Sequence, residues 1–479
     1  MGFLVSLFAM AASVWAVPIV RRGNLLAMIA AVLVLGTVAG PFFFSIDGPI
    51  QFSLDRLVWA GLFVIAAIRW RLGKLRLPKL HRVDAAIIGL VGYLLWSCTR
   101  GGDPPGETSP LARWIFYIFM PAGTYALVRV TRLYGDNVES LLKVWTGLGI
   151  YLSLTGICEV MGMRSLVFPA YINDPSFHEF FGRGRGPLLN PIANGVIIGG
   201  ALVSSVLLAI RGGKTMRVCM GLAAAILLAG IYSTLTRSCW VGAVGAVVAI
   251  AFFYTPRWLR VWSLAVAVLL AGAASMGLKD QLLAFKRDKE LSAVEAAKSI
   301  ELRPLLAVVA WEMFQDKPIV GHGFGHYFEH NEPYHNDRGY DLPLDRVRVY
   351  FQHNAFLALL VDGGLIALGL LLFILGTATL QSLRMIRTRH LERVRRTIGL
   401  LWIGMLVVYV ANAMFHDLTI IPMVQMFVMT MIGLVVNAAQ RGPTVRPATV
   451  TDPSTDSLRT ARQSEPAAKW PGPLAMPNC

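Results

Sequence analysis

Apolar runs of roughly 17–25 residues recur along the chain, and a run of that length crosses ~30 Å of hydrocarbon as a single helix. Lipid offers the backbone no hydrogen-bonding partner, so such segments are confined to helices that satisfy their own N–H and C=O groups. About 12–13 spans result on that criterion. Leu57–Trp70 and Asp84–Cys98 are the shortest. The first run, Phe3–Val20, has no basic segment ahead of it and is followed by Arg21-Arg22, so it reads as a span and not a cleaved signal. Composition agrees, with 55% of residues hydrophobic. The expected fold class is an all-α integral membrane protein with about 12–13 transmembrane helices and one large, mostly helical loop on the outer face.

The net charge of +16 would suit a nucleic-acid surface, but the Lys and Arg residues collect in alternate loops. They fill 69–82, 129–132, 211–217, 257–260 and 384–396. That is the pattern of loops retained on the inner side, and no nucleic-acid partner is expected. The alternation puts Ser45–Arg56, Thr99–Pro110, Gly162–Asn190, Thr236–Ser238, Gly277–Gln352 and His416–Thr419 on the outer face and the C-terminus inside. The five cysteines are scattered, with no CxxC pair, which argues against a zinc site or a disulfide framework. The chain then divides into transmembrane helices with short loops over 1–277, a large outer loop over 278–352, C-terminal transmembrane helices over 353–439, and a tail over 440–479. The tail is rich in Pro, Ser, Thr and Ala and too poor in large apolar residues to fold alone.

The outer loop is unusual because connections in such proteins are generally short. Lys279–Ala297 lacks Gly and Pro and reads as helix. A second helix is expected from Pro304 to Phe314, with Pro304 in its first turn and Leu305, Val308, Val309 and Glu312 on one face. Lys317–Gly325 then forms a glycine-rich turn, and His326–Tyr350 reads as an irregular lid. The loop runs directly into His353-Asn354 at the start of the next apolar helix.

Four basic groups on the outer face can carry chemistry: Arg183, Arg237, Arg303 and His353. Arg183 lies with Arg185 among glycines just before a span; a guanidinium fork there can bind phosphate, or equally a lipid headgroup. Arg237 is a cation in a very short outer turn, against the charge rule, where membrane charges tend to be functional. Arg303 opens the loop helix and could as easily be a solvated ion-pair partner of Glu301 or Asp316. His353 can take a proton near neutral pH, as a general base on a hydroxyl requires; a helix-end histidine is the plainer reading. Asp362, and His416-Asp417 at the end of another span, can orient the histidine, pair with arginines or tie helices together. The loop histidines His322, His326, His330 and His335 match no standard zinc spacing.

Together these residues resemble the O-antigen ligase and O-antigen polymerase superfamily of polytopic glycosyltransferases. Three pieces carry the resemblance, all between Arg183 and Gly364. Arg183-x-x-Gly186 with Asn190-Pro191 is similar to the family's Arg-x-x-Gly…Asn-Pro-Asn segment, although here the second asparagine is displaced to Asn194. Thr236-Arg237-Ser238 resembles its second arginine site. Arg303…Trp311…Pro318-Ile319-Val320-Gly321-x-Gly323-x-Gly325, then His353-Asn354-x-x-Leu357 and Gly363-Gly364, resembles its signature loop and following helix.

The resemblance implies transfer of a glycan from a polyprenyl-diphosphate carrier to an acceptor hydroxyl, at the periplasmic face of a bacterial inner membrane. His353 would be the catalytic base. Arg183, Arg185, Arg237 and Arg303 would hold the diphosphate, with Asn354 and Asp362 in support. No cofactor and no metal is expected, since arginines can stabilise a leaving diphosphate and no DxD motif stands on the outer face. The implied partners are the lipid-linked donor, a glycan or glycolipid acceptor, and membrane lipids. A transporter of a small anion such as bicarbonate is the alternative, but it should carry charges near mid-bilayer and broken half-helices. A non-catalytic scaffold fits the basic cluster and histidine less well.

Overall fold

The computed structural model describes residues 23–46, 52–102, 108–256, 293–336, 342–388 and 393–441. The expected spans Phe3–Val20 and Val261–Met276, most of the expected helix Lys279–Ala297 and nearly all of the tail 440–479 lie outside the described residues. Helices α1 (Leu25–Val38), α2 (Leu54–Arg71), α3 (Arg82–Cys98), α4 (Pro110–Val130), α5 (Gly135–Val160), α6 (Pro191–Arg211), α7 (Lys214–Ser233) and α8 (Arg237–Tyr254) come first. The loop contributes α9 (Ala293–Asp316), α10 (Tyr327–His330) and α11 (Glu332–His335), and α12 (Ala355–Arg387), α13 (Arg393–Ala413) and α14 (Pro422–Arg441) complete the bundle. A two-residue antiparallel ribbon, Ser45–Ile46 with Phe52–Ser53, sits between α1 and α2.

Eight of these helices, α4 to α8 and α12 to α14, are long and apolar enough to cross a membrane. The expected count was higher because two runs lie outside the described residues and three more form lesser helices. The α1 helix has 14 residues and α3 has 17, while α2 carries Asp55, Arg56, Arg69 and Arg71 within its 18. In α4, Pro121 cannot donate a backbone hydrogen bond, and the helix widens into a π-turn over Ile115–Phe119 just ahead of it.

Helices α6 and α14 form the centre of the bundle, with nearly nine-tenths of each apolar window buried. Helices α5, α7, α8 and α13 pack on α6, α4 packs on α14, and α3 and α13 flank α12. At one end of the bundle Arg129 binds Asp84 through Nε at 2.8 Å and Nη2 at 2.9 Å, and Nη2 also donates to Gln440 Oε1. The sequence pattern treated Arg129 as a loop charge. It is buried instead, and it remains there because a buried guanidinium keeps its charge only when paired.

The loop folds with a small core of its own. Leu305, Leu306, Val309, Ala310 and Met313 of α9 close on Tyr327, Leu344, Val347 and Val361. Two expectations change. Pro304 lies inside a single helix that begins at Ala293, not at the first turn of a new one. The segment after His326 holds two short helices and a 3₁₀ turn (Leu344–Val347) against α9, and so is not irregular throughout.

Candidate active site

Helix α12 is broken at Gly364, about two and a half turns after its start at Ala355. Gly364 has φ 62° and ψ −163°, so the carbonyls of Val361 and Asp362 and the N–H groups of Leu365 and Ile366 lose their helical partners. The glycine-rich segment fills the break. His322 N donates to Val361 O at 2.8 Å and Gly323 N to Asp362 O at 3.0 Å, while Leu365 N and Ile366 N donate to the carbonyls of Pro318 and Ile319. Without that segment these backbone groups would lose their hydrogen-bond partners within the protein. The fit leaves no room for side chains: a Cβ on Gly321 would come within 3.0 Å of Asp362 backbone, and one on Gly364 within 3.0 Å of the Ile319 carbonyl. Ser97 Oγ takes Phe324 N at 3.1 Å and lies 3.3 Å from Asp362 O, which locks α3 to the same junction.

Asn354 is the N-cap of α12, its Oδ1 accepting Phe356 N and Leu357 N. Its Nδ2 donates to Met414 O in the α13–α14 turn at 3.1 Å. His353 precedes the cap, exposed, with φ 49°. Arg303 lies 5.8 Å from the ring centroid of Phe415, in that same turn. From the other side, Ser238 Oγ and Cys239 Sγ donate to Asn412 Oδ1 at 2.9 and 3.1 Å, joining the Arg237 turn to the end of α13. Arg237 is half-buried at the first turn of α8. His353, Arg237 and Arg303 therefore belong to three elements held around the single turn that follows α13.

Arg183 and Arg185 lie differently from the expectation of guanidinium forks presented to a ligand. Arg183, 3% exposed, donates from Nε to Thr234 O at 3.2 Å and from Nη2 to Thr236 Oγ1 at 2.5 Å. It thus braces the backbone that carries Arg237. Arg185, 1% exposed, donates to the carbonyls of Ile172, Phe177 and Glu179 and lies 3.5 Å from Glu159, whose other oxygen accepts Gly186 N. Desolvation pushes the Arg185 pKa down, and the Glu159 carboxylate offsets part of that shift. The displaced Asn194 keeps a role in this loop, with Nδ2 donating to Gly184 O at 3.0 Å, while Asn190 caps α6.

The carboxylates also take definite places. Asp362 accepts the Gly325 N–H and interacts with Asp417 and Arg113. Arg113 and Asn412 were not singled out from the sequence; an arginine beside a span start and an asparagine inside an apolar run carry no local signal. The loop histidines point to separate acceptors, His322 Nε2 to Met313 O, His326 Nε2 to Cys98 O and His335 Nδ1 to Leu344 O. Burial lowers the pKa of His322 and His335.

Asp417, in the turn between α13 and α14, accepts the N–H and Oγ1–H of Thr419, and burial pushes its pKa up to about 6 from an ordinary 3.8. A folded-state value above the unfolded one means that ionisation opposes folding. The penalty is absent below about pH 4, grows as pH rises toward 6, and is complete above it, on the order of 2–3 kcal/mol. Asp417→Asn keeps the Oδ1 acceptor and loses the charge. It is expected to melt higher than wild type at pH 7.5, with the gap closing by pH 4 in a thermal melt in detergent. A lower melting temperature for the variant at pH 7.5 would mean that the carboxylate is stabilised as an ion.

Residues 222–374 match a protein-family model described as O-antigen ligase. The match runs from α7 to α12 and so takes in the Arg237 turn, α9, the glycine-rich segment, His353-Asn354 and the break at Gly364. Arg183 and Arg185 lie ahead of it. No curated protein gives a significant match to the chain.

Proposed function

From the match of residues 222–374 to the O-antigen ligase family model, we propose that this multi-pass membrane chain moves a glycan from a polyprenyl-diphosphate carrier to an acceptor hydroxyl, at the periplasmic face of the bacterial inner membrane. O-antigen ligase or polymerase-type glycan transfer is the general activity of that family. Donor, acceptor, sidedness and residue roles are the proposal. The observation that carries it is the gathering of His353, Arg237 and Arg303 around the α13–α14 turn.

The step needs one base and one site of positive charge. His353 takes the proton of the acceptor hydroxyl as its oxygen forms a bond to the anomeric carbon. The bond from that carbon to the diphosphate breaks, the diphosphate departs with the electron pair, and the configuration inverts. A diphosphate leaves without protonation when its growing charge meets fixed cations, the part assigned to Arg237 and Arg303. Arg183 and Arg185 act through the backbone that they brace. Asn354 holds His353 at the start of α12, and Asp362 holds the glycine-rich segment through Gly325. The large loop over 278–352 would face the periplasm, and the tail over 440–479 the cytoplasm.

The test is transfer by purified protein from a polyprenyl-diphosphate oligosaccharide, with EDTA present. Arg237→Ala is expected to lose about 10²-fold or more in turnover, the order found when one donor to a developing charge is removed, with Arg237→Lys in between. Transfer by Arg237→Ala within about twofold of wild type would remove the role. In cells, loss of polymer length on deletion would mark a polymerase, and build-up of carrier-linked chains a ligase.

A further inference from the structure

We infer that Asn412 is a positioning residue that sets the diphosphate-binding turn against the helix start carrying the base. This rests on the transfer reading above. Asn412 is 0% exposed and sits in the second-last position of α13, inside an otherwise apolar face. Every polar atom of its residue that the bundle can use is engaged. Oδ1 accepts from Ser238 Oγ at 2.9 Å and Cys239 Sγ at 3.1 Å, which are the two residues following Arg237. Nδ2 donates to Val408 O at 2.9 Å in its own helix, and this fixes which amide atom faces α8. Its backbone carbonyl accepts Phe415 N at 3.0 Å and His416 N at 2.9 Å, closing the turn after α13. That turn presents Met414 O to Asn354 Nδ2, beside His353, and Phe415 to Arg303.

One residue thus touches both halves of the site. Its side chain holds the Arg237 turn, and its backbone shapes the turn on which Asn354 and Arg303 rest. Neither group needs a ligand to be explained structurally, but the consequence for chemistry is specific. A leucine at 412 is close in size and lacks the acceptor, so Ser238 and Cys239 are left to find other partners in a buried site. The expected result is a shift of α8 relative to α12 without loss of the bundle. A misplacement near 1 Å between reacting groups costs on the order of 10²-fold in rate.

The experiment compares wild type, Asn412→Leu, Arg237→Ala and the double variant. Asn412→Leu is expected to lower kcat about 10- to 100-fold with a small change in KM. If Asn412 acts through Arg237, the double variant should be no worse than Arg237→Ala alone. Losses that multiply would overturn the inference. A second readout is independent of transfer: the distance between spin labels on the exposed residues Val241 and Val349, measured by pulsed EPR. Asn412→Leu should shift or broaden that distance, and a Thr430→Val control should leave it unchanged. An unchanged distance in Asn412→Leu would sink the inference even where wild type transfers glycan. Wild type that transfers nothing, with the distance shifted in Asn412→Leu, would instead remove the transfer reading and leave Asn412 as the residue that couples the two turns.

Discussion

Replacing His353 by asparagine is expected to lower glycan transfer by about 10²- to 10⁴-fold, the usual worth of a general base, while the variant melts near the wild-type temperature. Two features of the site separate chemistry from folding here. The side chain is exposed, so its removal leaves no cavity. Its backbone is left-handed, at φ 49°, a conformation that costs most residues about 1–2 kcal/mol but that asparagine adopts readily. Asparagine therefore holds the turn ahead of the Asn354 cap while being unable to take a proton near neutral pH. Alanine at the same position loses the base and also bears the backbone penalty, so His353→Ala should be slightly less stable and equally inactive. Assay of both variants from the same detergent preparation decides the matter. Transfer within about tenfold of wild type by His353→Asn would show that the acceptor hydroxyl is activated elsewhere.

The second large effect concerns the fold. Gly364→Ala is expected to destabilise the protein by about 3 kcal/mol or more, enough to abolish recovery of monodisperse protein. Its φ and ψ, 62° and −163°, fall in a region open almost only to glycine, and the added methyl would meet the Ile319 carbonyl. Neither conflict can be relieved alone. Returning residue 364 to helical angles would expel the glycine-rich segment and take from its N–H and C=O groups the partners they have in α12. Gly369, five residues on in the same helix, provides the control. Nothing lies within 4 Å of a Cβ built there, so Gly369→Ala should be neutral or gain about 0.5–1 kcal/mol of helix propensity. Equal expression and melting temperature for the two variants would mean that the break in α12 is not needed for folding.

These two positions show what could be anticipated and why. Gly364 belongs to a pattern of glycines, Gly321, Gly323, Gly325, Gly363 and Gly364, visible in the sequence as two clusters about 40 residues apart. What could not be anticipated is that the clusters meet, the first inserted into a helix broken by the second. Arg183 and Arg185 are a sharper case. A guanidinium between glycines looks the same whether it faces a phosphate or a set of carbonyls. The carbonyls that claim Arg185 belong to Ile172, Phe177 and Glu179, and its ion-pair partner Glu159 lies on α5.

Sequence alone determined the class of protein, the order of most spans, the two ends to which the charges sort and the candidates Arg237, Arg303 and His353. These follow from one-dimensional rules: hydrocarbon thickness sets helix length, and loop charge sets direction. The tertiary structure decided which of the basic groups are buried as braces and which stand exposed or half-buried near the α13–α14 turn. It also brought Ser238 and Cys239, beside Arg237, onto Asn412 at the end of α13. The reason is physical. A buried donor or acceptor must find a partner, and which partner it finds depends on segments brought together from 51 to 174 residues away, a choice that no local pattern of residues encodes.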